Sequence, residues 1–154
     1  MEESQPKVSL LKFYVKDLSF ETFYGAQIFL EKPEQWNPDI DLQLGNKVTA
    51  LKDGIHEIVL DMTVTAKLKD KAVFLVEVQM AGIFNIQGAD QPRVAEVIGG
   101  PCLQMLFPYA REVVSDLVMR GGFPQLLLAP VSFANLYRQH LAEVKSAQEK
   151  EDNT

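Results

Sequence analysis

The sequence predicts an α+β domain in which an antiparallel sheet of about four strands is followed by two C-terminal helices. Residues 56–68 and 72–81 alternate between apolar and polar side chains, which is typical of strands that bury one face. Residues 103–118 and 133–147 instead repeat apolar side chains at spacings of three and four, which is typical of amphipathic helices. Because the strand patterns precede the helical ones, we expect a sheet that is covered by helices on one side.

The first strand is predicted over residues 8–20, which are rich in β-branched and aromatic side chains. The next segment, residues 22–54, is harder to assign because glycine and proline interrupt it repeatedly. Its stretch "DIDLQL", residues 39–44, alternates and predicts a short strand. The remainder fits either an irregular crossover anchored by Trp36 or a binding loop, since long connections inside compact domains are often functional.

Residues 56–68 and 72–81 are predicted to form a hairpin, because "KDK" at residues 69–71 reads as a turn between them. In both strands the even-numbered side chains are the more apolar set, so they should face the core. Gly82 interrupts the second pattern, and we expect residues 83–86 to continue the sheet as another short strand.

The helical half begins with a short piece, "RVAEVIGG", which we expect to end at Gly99, Gly100 and Pro101. A long helix follows, and Pro108 should either kink it or mark its first turn. Its apolar stripe consists of Leu103, Leu106, Phe107, Ala110, Val113, Val114, Leu117 and Val118. The glycine pair at residues 121–122 should stop this helix.

The segment "FPQLLLAP" predicts an extended linker to the last helix, which Ser132 should cap. Phe133 and Tyr137 belong to the apolar stripe of that helix, which we expect to end near residue 147. The chain therefore reads as one domain, residues 1–145, with a charged and flexible C-terminal tail over residues 146–154.

The composition narrows the classes of partner. The formal net charge is -6 and the pI is about 4.9, so nonspecific nucleic-acid binding, which needs a basic surface, is disfavoured. The same charge is compatible with a basic protein partner. The start of the sequence lacks the pattern of a secretory signal, and no apolar run approaches the roughly 18 residues of a membrane span. We therefore expect a cytosolic protein without direct membrane insertion.

The residue pattern predicts no catalytic centre, metal site or cofactor. His56 and His140 lack metal-ligand spacing, and the sequence holds neither a phosphate-binding loop nor a nucleophile elbow. Cys102 follows Pro101 near a helix start, where a thiolate could be stabilised. Its alternative role is that of a packed apolar residue. A reactive Cys102 would be the main support for an enzyme or a small-ligand protein.

The predicted surfaces suggest protein contacts. The apolar arc of the long helix and the run "LLLAP" exceed what a small core needs, which favours oligomerisation. The second face of the sheet mixes Val59, Val73 and Leu75 with acidic side chains. The acidic residues predicted there are Asp17, Glu21, Glu57, Asp61 and Glu77. This face reads either as a merely solvated surface or as a protein-binding patch.

Several segments resemble the SecB family of bacterial protein-export chaperones, in the same order and from about residue 10 to residue 145. They are "YVKDLSFE" (14–21), "MTVTA" (62–66), "FLVEVQMAGIFNI" (74–86) and "LFPYAREVVSDLVMRGGFPQLLLAPVSF" (106–133). The resemblance implies a cytosolic homotetramer, a dimer of dimers in which the long helices pack between the dimers. It further implies a non-enzymatic chaperone that holds unfolded precursor proteins without ATP and delivers them to the SecA motor.

The resemblance also assigns residue roles. The positions implied for SecA binding are Asp17, Glu21, Leu75 and Glu77. Those implied for the tetramer interface are Val76, Val78 and Met80. The client groove is expected at Trp36, Ile40, Leu42, Ile83, Phe84, Phe133 and Tyr137. Zinc in this system belongs to SecA, so no metal is expected in this chain. A related chaperone that serves an antitoxin is the alternative within the same family.

Overall fold

The structure, a computed structural model, describes residues 5–30 and 36–153. Within these residues, β1 (Lys7–Thr22), β2 (Asp39–Lys52), β3 (Ile55–Leu68) and β4 (Lys71–Gln87) form one four-stranded sheet. The strand order is β1-β4-β3-β2, and every neighbouring pair is antiparallel. The helices are α1 (Gln91–Val97), α2 (Leu103–Arg120) and α3 (Phe133–Asp152). The α+β class is confirmed, while the predicted dimer of dimers stays a prediction.

Two tight turns set the register of the central hairpins. The β2–β3 turn has positive φ angles at Asp53 (34°) and Gly54 (82°), and the β3–β4 turn has them at Lys69 (50°) and Asp70 (65°). Two successive residues with positive φ match the right-handed twist of the flanking strands. The predicted turn at residues 69–71 is therefore confirmed.

β2 and β4 are longer than the sequence predicts. β2 continues past residue 44 to Lys52, and β4 continues through Gly82 to Gln87. A Cβ atom at Gly82 would lie 2.6 Å from the Phe84 ring and 2.9 Å from Leu106 of α2. Gly82 thus allows α2 to approach the sheet without interrupting the strand. The separate strand expected at residues 83–86 is wrong, because those residues belong to β4.

The helical half is continuous from α1 to α2. The break expected at Gly99, Gly100 and Pro101 is wrong, because a π-helical turn (Ile98–Cys102) joins the two helices. The wider hydrogen-bond spacing of a π turn accommodates such an irregular stretch inside a helix. Pro108 lies within α2 rather than at its start. The predicted stop is confirmed, since Gly121 caps α2 and Gly122 follows with φ of 89°.

The core lies between α2 and one face of the sheet, which we call the covered face. The even-numbered residues of β3 and β4 form this face, and its centre at Leu60, Val64 and Val76 is fully buried. From α2, Leu106, Phe107, Ala110, Val114 and Val118 pack against it. The odd-numbered residues of the same strands form the opposite side of the sheet, the open face.

α3 extends further than its apolar stripe predicts. Ser132 caps it as expected, accepting a hydrogen bond from the backbone N–H of Asn135 at 3.3 Å. The helix then continues past residue 147 to Asp152, because "KSAQEKE" consists mostly of good helix formers. Residues 146–152 are therefore helical and exposed. The expected domain limit at residue 145 stays a prediction.

Candidate functional site

A groove of about 720 Å³ lies between β2, the α1–α2 junction and α3. The groove forms because α2 packs over the centre of the covered face and does not extend over the edge strand β2. On that strand, the side chains of the same face lie opposite α3 instead. Its lining is largely apolar and consists of Leu42, Leu44, Gly45, Asn46, Val48, Ala95, Ile98, Gly99, Leu103, Phe133, Leu136, Tyr137 and His140. A mostly apolar cleft with few polar groups is suited to binding apolar side chains with little sequence discrimination.

Specific contacts hold α3 beside the groove. The backbone N–H of Phe133 donates a hydrogen bond to Oε1 of Gln104 on α2, at 3.2 Å. The Phe133 ring meets the Phe107 ring edge-on, with centroids 5.7 Å apart. These contacts fix the start of α3, whereas Leu141 and Val144 further along the helix are 48% and 41% exposed.

Gly99 of the π turn lets Tyr137 lie against the groove wall. A Cβ atom at residue 99 would lie 2.4 Å from Cδ2 of Tyr137, which is closer than any real contact permits. The glycine that the sequence suggested as a helix stop therefore serves a close approach between two helices.

The groove brings together three of the seven residues expected to bind a client. Leu42, Phe133 and Tyr137 line it, and Ile40 lies two residues before Leu42 on the same face of β2. These residues come from distant parts of the sequence. Their convergence supports the assignment of the groove, although client contact by each of them stays a prediction.

The other three expected client residues lie elsewhere. Trp36 stacks in an aromatic cluster, with ring centroids 5.3 Å from Phe123 and 6.5 Å from Phe74. Ile83 points to the open face opposite Glu57. Phe84 is fully buried beneath α2, so its side chain is not accessible to a client. Trp36 thus packs within an aromatic cluster of the chain itself, and both its contact with a client and the role of the segment 22–54 stay predictions, while residues 31–35 lie outside the described residues.

The groove includes residues that sequence reasoning missed. Leu44 and Leu136 lie within the predicted strand and the predicted last helix, but they were not assigned to the groove. Val48 continues the alternation of β2 beyond the predicted strand end at residue 44, and His140 follows Tyr137 at helical spacing. Extending the two periodic patterns would have found Val48 and His140. The contribution of Ile98 and Gly99 had no such signal, because it depends on the π turn.

The residues expected to bind SecA share the open face. In the β1–β4 register Asp17 is opposite Gln79, Ser19 is opposite Glu77, and Glu21 is opposite Leu75. Side chains directly opposite each other in an antiparallel pair lie on the same face. Asp17, Glu21 and Glu77 are exposed and Leu75 is partly buried, so they form one acidic surface with an apolar contact point. We call these four residues the acidic surface.

A polar cluster lies on the open face beside the acidic surface. Lys16 Nζ donates a hydrogen bond to Glu57 Oε1 at 2.7 Å, and the Tyr14 hydroxyl donates to Glu57 Oε2. The Lys16 ammonium, followed by the Tyr14 hydroxyl, holds the pKa of Glu57 below its usual range. The same contact with Glu57 raises the pKa of Tyr14. The Glu57 carboxylate is therefore already paired within the chain. Glu77 is exposed and has no ion pair among the described residues, so it is the more accessible of the two to a binding protein.

The residues expected at the tetramer interface lie in the core of the single chain. Val76, Val78 and Met80 are 0%, 1% and 2% exposed, and they face α2. They cannot contact another subunit directly while α2 covers them. Their predicted effect on assembly must therefore act through the position of α2.

Cys102 is fully buried in the core at the end of the π turn. Burial raises the pKa of its thiol to about 12, because an apolar environment disfavours the thiolate. The described residues also contain no group of three or more His, Cys, Asp or Glu side chains that could hold a metal ion. The structure thus supports the packed role of Cys102 over the reactive one.

We expect Cys102 to resist alkylation in the folded protein. At mildly alkaline pH, a maleimide or iodoacetamide should label the native protein far more slowly than the denatured chain, because the thiol is both inaccessible and protonated. Mass spectrometry over a time course measures the two rates. Rapid labelling of the folded protein would contradict the buried position and revive the enzyme hypothesis.

An open apolar groove and an acidic sheet face on an α+β scaffold define a protein-binding protein. The comparisons agree with that class. The sequence model described as "Preprotein translocase subunit SecB" matches residues 1–144. The protein-export protein SecB of Nitrosococcus oceani is 50% identical over 143 residues, which cover 93% of this chain and 87% of that protein. The chain therefore belongs to the SecB family of protein-export chaperones.

Further relatives show the same membership and fold. The protein-export protein SecB of Pseudomonas fluorescens is 46% identical over 148 residues, which cover 96% of this chain and 91% of that protein. Among solved structures, a SecB-like chaperone of Mycobacterium tuberculosis in complex with a ChAD peptide from the HigA1 antitoxin is similar, with a TM-score of 0.68. It is 18% identical, and the match covers 81% of this chain and 91% of that one, so it supports the fold alone.

None of the helices in residues 5–30 and 36–153 is long and apolar enough to cross a membrane.

Proposed function

We propose that this protein holds unfolded precursor proteins in the cytosol and passes them to SecA without using ATP. The observation that carries the proposal is the groove of about 720 Å³, whose largely apolar lining lies open beside the edge strand β2 in a member of the SecB family. The sequence has no phosphate-binding loop that would support a nucleotide cycle. An antitoxin client would use the same groove, but identities of 46–50% to export proteins favour export.

The groove offers two kinds of contact to an extended chain. Leu42, Leu136 and Tyr137 provide apolar surface, whose burial is favourable for many side chains and therefore selects little among them. β2 is an edge strand, and no strand of the described residues pairs with its outer side. The backbone groups there can pair with an extended segment whatever its sequence. Both features suit a chaperone that serves many clients.

Handover to SecA is assigned to the acidic surface. Its carboxylates are exposed on the open face, on the side of the sheet opposite α2 and the groove. A client in the groove therefore leaves the acidic surface free. Charge complementarity of this kind accelerates association with a basic surface and fixes its orientation.

We also assign a homotetramer to this chain, with an interface at the edge strand β1. Large apolar side chains of β1 are unusually exposed: Leu11, Phe13, Val15 and Leu18 at 40–54%. Phe13 stacks on Tyr109 of α2 at a centroid distance of 4.0 Å, and Tyr109 and Met105 are themselves 38% and 40% exposed. A contiguous apolar patch along an edge strand and a helix is typical of a subunit interface.

The decisive experiment is an aggregation assay with a chemically unfolded precursor. The protein should suppress aggregation at near-stoichiometric amounts, and to the same extent with and without ATP. Absence of suppression, or a strict need for ATP, would contradict the proposed function.

A matched pair of variants locates the activity in the groove. Leu136→Asp should weaken client binding at least about tenfold, since burial of a leucine side chain contributes about 1.5–3 kcal/mol. Leu141→Asp changes an exposed leucine on the same helix that does not line the groove, so it should leave client affinity nearly unchanged. Fluorescence anisotropy with a labelled precursor peptide measures both. Equal affinities for the two variants would show that clients bind elsewhere.

A further inference from the structure

The charged side chains of the open face are segregated along the strands. The acidic surface lies toward one end of the sheet. At the other end, formed by the start of β1 and the last residues of β2, exposed lysines occupy both edge strands. The sheet register places Lys7, Lys12 and Lys52 on the open face, opposite odd-numbered residues of β4 and β3. We call these three residues the basic surface.

The basic surface is not neutralised within the chain. Its lysines take part in none of the ion pairs found among the described residues. Glu57 lies between the two edge strands, but Lys16 and Tyr14 already donate hydrogen bonds to its carboxylate. Asp53 adds one exposed carboxylate in the β2–β3 turn. The formal net charge of the chain is -6, so this end of the sheet has the opposite charge to the protein as a whole and attracts anions.

Neutral hydrogen-bond donors lie between these lysines. Asn85 is opposite Ser9 on β1 and Ile55 on β3, at the centre of this end of the open face. Its Oδ1 accepts a hydrogen bond from Gln87 Nε2 at 2.7 Å, which leaves the amide N–H groups of Asn85 for another acceptor. Gln87 Nε2 also donates to the backbone oxygen of Asp53 at 3.1 Å, which fixes its amide. Ammonium and amide donors on one flat surface suit carboxylates, which accept several hydrogen bonds.

The basic and acidic surfaces are far enough apart to bind different parts of one partner. Ile83, which is opposite Lys12, and Glu77 are six residues apart on β4, or about 20 Å at the rise of an extended strand. Exposed charges are screened beyond about 10 Å at 0.1 M ionic strength, so neither surface neutralises the other. A membrane or a nucleic acid larger than the sheet would meet the carboxylates as well as the lysines. A short acidic segment of a protein meets the lysines alone.

We infer that the basic surface binds an acidic segment of the protein that docks at the acidic surface. The partner then contacts one end of the open face with a basic region and the other end with carboxylates, and this charge pattern fixes its direction along the strands. The inference rests on the proposed docking of SecA and adds residues of opposite charge outside the acidic surface. Assembly leaves the lysines accessible, because Phe13 and Val15 of the proposed subunit interface lie on the covered face.

The test reverses two lysines and measures the affinity for SecA by calorimetry at low ionic strength. Lys12→Glu/Lys52→Glu should lower the affinity at least about tenfold, because the acidic segment then meets repulsion. The matched control Arg138→Glu/Lys145→Glu makes the chain equally more acidic, at exposed positions of α3 outside the groove lining. A general charge effect on a basic partner would strengthen binding in both variants, so a loss confined to the first variant is specific to the inference.

A labelled hexaglutamate peptide tests the basic surface without SecA. Fluorescence anisotropy should show salt-sensitive binding to the wild type and to the control, and none to Lys12→Glu/Lys52→Glu. Sedimentation of the wild type alone detects pairing with the acidic surface of a second copy, and co-sedimentation with phosphatidylglycerol vesicles detects binding to a membrane. If the lysine variant loses either of these and keeps its affinity for SecA, the lysines serve that other occupant and the inference is wrong.

Failure of the inference and failure of the proposed docking are distinguishable. If the lysine variant matches its control while Glu77→Lys abolishes SecA binding, SecA docks at the acidic surface and the basic surface contributes nothing. If Glu77→Lys leaves the affinity unchanged, the docking surface is misplaced and the inference falls with it. Thermal unfolding should be the same for the lysine variant and the wild type, since both substituted positions are exposed.

Discussion

Val78→Asp is expected to destabilise the folded chain by about 3–5 kcal/mol, the cost of an uncompensated buried charge. Val78 is 1% exposed, lies at the centre of β4 on the covered face, and has α2 above it. Because the free energy of unfolding of a single domain is only about 5–15 kcal/mol, this loss removes a large part of it. Chemical denaturation followed by circular dichroism measures it, and assembly should fail because α2 is displaced.

Leu18→Asp is the matched control for that variant. Leu18 is directly opposite Val78 on β1 and shares its sheet face, but it is 44% exposed. The substitution should leave the chain folded and reduce the molecular mass measured by light scattering, since it places a charge in the proposed interface. A folded Val78→Asp protein of full stability would contradict the core position of Val78. A monomeric wild-type protein at micromolar concentration would contradict the tetramer.

The sequence predicted the strands and helices that have a clear period. Alternation at residues 56–68 and the stripe of residues 103–118 each match an observed element, and Ser132 caps α3 as expected. Errors occurred where glycine or proline was taken as a break. Gly82 and Gly99 instead permit close packing, against Leu106 and Tyr137 respectively. A glycine can end a helix or strand, or it can allow a neighbouring element to pack closely. Which of the two applies depends on tertiary contacts that a single sequence does not reveal.

The candidate sites were predictable to different degrees. The acidic surface follows from strand alternation, because Asp17, Glu21 and Glu77 need only the correct register to share a face. The groove required knowledge of which apolar residues remain uncovered. Phe84 and Leu42 both lie on the covered face, yet α2 buries the first and leaves the second to the groove. The repeat of apolar side chains identifies the face of the sheet on which a residue lies. Whether that residue is buried or exposed depends on how far α2 extends over that face.

The proposed client groove and the proposed SecA-docking surface lie on opposite faces of one sheet, an arrangement that would let one small domain serve two partners. The groove uses the covered face of β2, and the acidic surface uses the open face of β1 and β4. A sheet is only one layer thick, so its opposite faces are close in space but separate in the partners they can contact. Substitutions at exposed positions on one face should therefore leave binding at the other intact.

Glu77→Lys is expected to abolish most SecA binding, with a loss of at least about 100-fold, or roughly 2.7 kcal/mol. The substitution places a cation among Asp17, Glu21 and Asp61, so a basic partner meets repulsion where it met attraction. Glu77 is exposed, and its hydrogen-bond contact is with the Ser19 hydroxyl at 3.4 Å. Stability, assembly and client holding should therefore remain close to those of the wild type.

Glu143→Lys provides the control for Glu77→Lys, since it reverses an exposed charge on α3, outside the groove lining and the proposed subunit interface, and changes the net charge equally. Calorimetry with SecA should show a normal affinity for this control. The wild-type affinity should fall as salt is raised, because exposed charges are screened beyond about 10 Å at 0.1 M ionic strength. A merely solvated open face predicts no difference between the two variants at low salt. Equal affinities would therefore show that SecA docks on another surface, and a matching loss of client holding would show that the two faces are not independent.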